Sequence, residues 1–102
     1  MNNLNNLYYS LNRYYSLLSS VRSAVATLSS PSNKLGMINK DITSYFNYDG
    51  VGVDNNRVIN TKNSIDAIIQ KINNEVIPAI NSQIYSINRE IEDLEKEAAG
   101  GN

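Results

Sequence analysis

At 102 residues, 41% of them apolar, the chain is long enough for one small domain, and a net charge of -1 gives a polyanion no electrostatic grip. It contains no His, Cys or Trp, which excludes disulfides, thiolate and imidazole metal sites, and nucleophilic triads that need a His base. No apolar run approaches the roughly 20 residues that span a bilayer, and Met1–Asn6 lacks the basic and apolar regions of a secretory signal. The expectation is therefore a non-enzymatic protein without metal or cofactor. It is expected neither to bind nucleic acid nor to insert stably in a membrane, and to reside in the cytoplasm before any export by another route.

From the N-terminus, Leu4, Leu7, Leu11, Tyr14, Leu18, Val21, Val25 and Leu28 alternate in steps of three and four. That period predicts a helix with an apolar seam. Tyr8 and Tyr15 flank the seam on one side and Leu17 on the other, making the face wider than one neighbouring helix covers. Leu4, Leu7, Tyr8, Leu11, Tyr14, Tyr15, Leu18 and Val21 are accordingly the candidate partner-binding residues. Seven tyrosines against one phenylalanine suit such a face, because a Tyr ring can be covered while its hydroxyl stays wet.

Ser29-Ser30-Pro31-Ser32 predicts a kink or short break, with Ser30 able to cap a new helix that Pro31 opens. The seam is expected to resume as Leu35, Ile38, Ile42 and Tyr45, weakened at Gly36, and the first arm to span about 3–46. Residues 47–56, with Asp49-Gly50 and Gly52, form the strongest turn signal, so the chain should reverse there. Counting outward from Gly50–Gly52 puts Pro31 opposite about Ile72.

The second arm, about 57–97, carries Val58, Ile65, Ile69, Ile72 and Val76, then Ile80, Ile84, Ile87, Ile91 and Leu94, with a register shift near Pro78. Steps of three and four over more than thirty residues favour helix over strand despite the isoleucines. Lys62/Asp66, Lys71/Glu75, Arg89/Asp93 and Glu92/Lys96 lie four apart and should mark the solvent side. Residues 98–102 should be a flexible tail. Glu90, Glu92, Asp93, Glu95 and Glu97 cluster at the C-terminal end, where negative charge opposes the helix dipole. The expected fold is all-α: an antiparallel hairpin of two long helices in one domain, the first arm kinked or broken near Pro31 and the second near Pro78. A two-helix hairpin buries little surface alone, so it should complete a four-helix-type bundle with a partner.

About one hundred residues, two long helices and a central aromatic-Gly turn at Tyr48-Asp49-Gly50 resemble the WXG100 superfamily of type VII secretion proteins, with tyrosine in the place of the family's tryptophan. The family's C-terminal export element, an aromatic followed four residues later by an acid, has no counterpart there, since Tyr85 is followed by Arg89. The spacing occurs instead from Tyr45 to Asp49 at the turn, which makes Tyr45, Phe46, Tyr48, Asp49 and Gly50 a candidate secretion motif. The nearer resemblance is to the small helical partners of LXG-type toxins in Gram-positive bacteria. It implies that the first arm binds the toxin's N-terminal helical domain, with room for a second small helical protein, and that the complex is targeted for export. Competing expectations are a self-contained secreted homodimer and a structural helical protein of a phage or filament assembly.

Overall fold

The computed structural model describes residues 2–100. Helix α1 spans Asn2–Tyr45 and α2 spans Val51–Lys71; a five-residue π-helical segment, Ile72–Val76, then leads into α3, Ile77–Gly100. The described residues contain no strand, in agreement with the all-α expectation. They pack as two compact units. One joins α1 up to Arg22 with the chain from Asn74 onward, and the other runs from Ser23 to Asn73.

In the first unit, Leu11 and Leu18 of α1 are buried with Ile80, Ile84, Ile87 and Ile91 of α3, and Leu4, Leu7, Tyr14, Val21 and Ile77 pack around them. Each buried Leu or Ile contributes roughly 2 kcal/mol of transfer free energy, set against the conformational entropy of ordering the chain. These six residues are the whole buried apolar set among the described residues.

The second unit has none of them. Its α1 segment and α2 run antiparallel, as Ser32 bonded to Asp66 and Asn39 bonded to Asn55 show. Val25, Leu28, Leu35 and Ile42 are half-buried along the α1 side, and Val51, Val58, Ile65, Ile69 and Ile72 along the α2 side. The side chain most fully buried here is polar: Ser32 is only 4% exposed.

Several expectations are corrected. Helix α1 is not broken at Pro31, and Ser30 caps no new helix, because the seam keeps its phase through the proline. Half-buried or buried residues fall at 21, 25, 28, 32, 35, 39 and 42 without a stutter, so packing on both sides of Pro31 demands one continuous helix. Pro31 and Thr27, whose carbonyl loses its partner to the missing N–H, are both exposed, which lets water satisfy that carbonyl. The seam therefore passes through Ser32 and Asn39, while Ile38 and Tyr45 point outward at 45% and 80% exposure.

The turn is shorter than residues 47–56, since α2 already begins at Val51. Gly50 takes the left-handed conformation at φ 86°, its carbonyl accepts from the Asp54 amide at 3.1 Å, and the Val51 amide donates to Tyr48. Asp54 in the first helical turn suits the positive end of the dipole. Because the helix starts early, Pro31 lies across from about Ala67, the neighbour of Asp66, instead of Ile72.

The second arm is irregular near Pro78, as expected, in the π-helical segment Ile72–Val76 that directly precedes it. Seam residues step by three and four from Val51 to Ile72, and again from Ile77 to Leu94, but the step from Ile72 to Ile77 is five. A π turn accommodates one extra residue, and its wider ring relieves the clash of Pro78 with the carbonyl four residues back. Ile77 consequently takes the seam position expected of Val76, which is exposed.

At the C-terminus, α3 continues through Ala98 and Ala99 to Gly100, so those residues are helical; Gly101 and Asn102 of the expected tail lie outside the described residues.

Candidate partner-binding site

The eight candidate binding residues on α1 divide into two sets. Leu4, Leu7, Leu11, Tyr14, Leu18 and Val21 form the intrachain seam against α3. Tyr8 and Tyr15 do not: they stand one heptad apart on a flank of that seam, 42% and 48% exposed. Leu17, on the opposite flank, is 46% exposed. An acid at Leu11 or Leu18 would accordingly disrupt the protein's own core before it could report on a partner.

The flank that holds Tyr8 opens into a groove shared with Tyr85, Arg89, Ile91, Glu92 and Glu95 of α3. Arg89 is held there by Tyr85, four residues back. The guanidinium lies 5.8 Å from the ring centroid and donates to the phenol oxygen at 3.1 Å. Arg13 and Tyr9 repeat the arrangement on α1, at 5.7 Å and 3.3 Å. Such contacts rigidify long side chains on an exposed surface at a gain of about 0.5–1 kcal/mol each.

The turn residues are presented outward. Tyr45, Phe46 and Tyr48 are all exposed, an aromatic group at the tip of the second unit. Tyr48 is oriented by its hydroxyl, which donates to the Asp54 carboxylate at 2.9 Å. That bond, with some desolvation and the nearby negative charge, raises the Tyr48 pKa above the ordinary phenol value. Gly50 at positive φ is what the tight return of the backbone requires, and a Cβ there is strained although nothing crowds it.

A polar layer in the second unit is absent from the candidates drawn from sequence. Ser32 donates to one oxygen of Asp66, and Lys62 pairs with the other at 2.7 Å. Gly36 makes room for the lysine stem: a Cβ at that position would lie 3.2 Å from Lys62 Cε. The signal was present in the spacing, since Ser32 and Lys62 both occupy seam steps where an apolar residue belongs. Lys62–Asp66 thus faces the neighbouring helix instead of marking the solvent side, and it is the only one of the four expected pairs closed among the described residues. Lys71 and Glu75 straddle the start of the π segment without pairing, and Arg89 is turned toward Tyr85.

The acidic residues Glu90, Glu92, Asp93, Glu95 and Glu97 are exposed along α3, and no three acids converge on a possible cation site among the described residues. No helix in the described residues is long and apolar enough to cross a membrane. No family model, curated protein or solved structure matches the chain.

Proposed function

We propose that the protein is a non-enzymatic, WXG100-like helical partner that binds the N-terminal helical domain of an LXG-type toxin and promotes its export through a type VII secretion system. One observation carries the binding half of this reading. Tyr8 and Tyr15 repeat at a heptad spacing beside a seam that α3 has already filled, which leaves an aromatic stripe for a further helix to cover. Covering it would complete a four-helix-type bundle, in which the apolar stripe supplies affinity and the polar flanks set partner and register. The secretion half rests on the resemblance at Tyr48-Asp49-Gly50 and on the exposed aromatics around it. The protein then acts in the cytoplasm as a targeting factor and either stays there or leaves with its cargo.

Light scattering on the protein alone, and after co-expression with an LXG-type targeting domain, tests the first half. A defined heteromeric complex is expected. Tyr8→Asp with Tyr15→Asp should leave the helical content unchanged and weaken the complex at least about tenfold, the scale of losing an aromatic anchor. A robust dimer or polymer indifferent to the toxin domain would favour the self-contained homodimer or the structural assembly. For the second half, Tyr48→Ala with Gly50→Ala should spare complex formation and reduce toxin secretion; unchanged secretion would reduce the motif to a turn.

A further inference from the structure

The two flanks of the α1/α3 seam differ in charge as well as in shape, and the difference specifies what fits the second one. On the flank away from Tyr8, α1 and α3 enclose a groove of about 450 Å³ lined by Asn6, Leu7, Ser10, Glu90, Asp93 and Leu94. Its floor is apolar, through the partly buried Leu7 and Leu94. Further along the same side of α1, Ser10, Arg13, Tyr14 and Leu17 line a second depression, so Leu7, Ser10, Tyr14 and Leu17 form a track with steps of three, four and three. Ser10 is the small residue in that track, where a helix backbone can come close.

Charge identifies the occupant. No residue of α1 before Arg13 is charged, so Glu90 and Asp93 on the rim face only asparagine, serine and leucine across the groove. Neither has an ion pair among the described residues. The Tyr8 groove differs in containing its own cation, Arg89, beside Glu92 and Glu95, whereas the one cation along the track, Arg13, lines only the second depression and is engaged by Tyr9. The uncompensated acidic rim therefore belongs to the Leu7/Leu94 groove.

We infer that this groove seats an amphipathic helix of a partner protein, with Leu or Ile side chains entering over Leu7, Leu94 and Leu17 and a Lys/Arg-rich flank lying against Glu90 and Asp93. The inference rests on the proposed reading that this unit pairs with a helical partner, and it adds the chemistry that partner must carry. A partner helix with an acidic flank meets like charge at the rim and is rejected.

The test uses the full chain and two synthetic helical peptides with the same Leu heptad stripe, one flanked by lysines and one by glutamates, titrated by fluorescence anisotropy. The lysine peptide is expected to bind at least about tenfold tighter, with a preference that shrinks as salt is raised. Glu90→Lys with Asp93→Lys should reverse the preference. Glu92→Lys with Glu95→Lys, an equal change of net charge on the other flank, should leave most of it. All four positions are exposed, and circular dichroism establishes that each variant stays helical. Equal binding of the two peptides, no binding of either, or an equal response to both pairs of substitutions would overturn the inference. If the toxin-domain complex forms while the peptide preference fails, the groove assignment falls and the proposed function stands. If the preference and its reversal hold without a toxin complex, the proposed function falls and the groove assignment stands.

Discussion

A single carboxylate, Asp66, ties α2 to α1 in the second unit through Ser32. Asp66 receives a hydrogen bond from Lys62 and another from Ser32, and both hold its pKa below the ordinary carboxylate value, against a smaller opposing effect of desolvation. Its ionised form is thus favoured in the folded protein. The stabilisation this provides is fully present above the unfolded-state value, about 3.9, and is lost as pH falls through the lower folded-state value. Asp66→Asn should therefore lower Tm at pH 7, and the gap between variant and parent should narrow in melts taken below about pH 4. A gap constant with pH would mean that the layer acts by packing alone. The contribution is modest, since both side chains of the ion pair are about one-third exposed, at 33% and 37%. Register is its better-founded role: with only half-buried apolar neighbours, a polar contact satisfied at one alignment alone penalises every slip.

Helix period accounts for what the sequence disclosed at the scale of elements and for what it hid. Steps of three and four identified both arms, the Leu11/Leu18 seam and the isoleucine stripe of α3, because a buried apolar face must repeat with the helix. The same rule, applied to apolar residues alone, passed over Ser32 and Asn39 and substituted Ile38 and Tyr45, since a seam position filled by a satisfied polar pair carries no hydrophobic signal. Pro31 misled for a related reason. Local chemistry favours a break, but a continuous seam on both sides outweighs a local cost of about 3 kcal/mol. The five-residue step from Ile72 to Ile77 was legible as a register shift, but its resolution into a π turn was not. If that turn absorbs one surplus residue, deleting the exposed Val76 should convert it to ordinary α-helix with the seam in register, at a cost bounded by the roughly 3 kcal/mol of returning Pro78 to an α-helical interior. Deleting the exposed Ser82 should rotate Ile84, Ile87 and Ile91 about 100° away from Leu11 and Leu18 and unfold the first unit. Equal damage from the two deletions, measured by urea denaturation, would deny the π segment this function.

Across the whole molecule, apolar burial is unevenly shared, and stability should follow it. All six buried aliphatic side chains belong to the first unit, while the second is held by half-buried residues and by the layer around Ser32. Opening free energies scale with the apolar contacts a segment must break, so the segment from Ser23 to Asn73 should exchange its amide hydrogens through lower-energy openings than the segments carrying Leu11, Leu18 and Ile80–Ile91. Leu18→Ala should cost about 3 kcal/mol, typical of a cavity left by a buried leucine, and should speed exchange throughout its own unit. Leu28→Ala, at a half-buried position, should cost no more than about 1–2 kcal/mol, with its effect on exchange centred on residues 23–73. Uniform protection in the parent, or one common loss in both variants, would mean that the two units unfold as one. The predicted gradient leaves the first unit a persistent platform when the second opens, and that unit carries both the Tyr8/Tyr15 stripe and the acidic-rimmed groove. A partner that binds there meets a preformed surface and need not supply the ordering free energy of that surface on association.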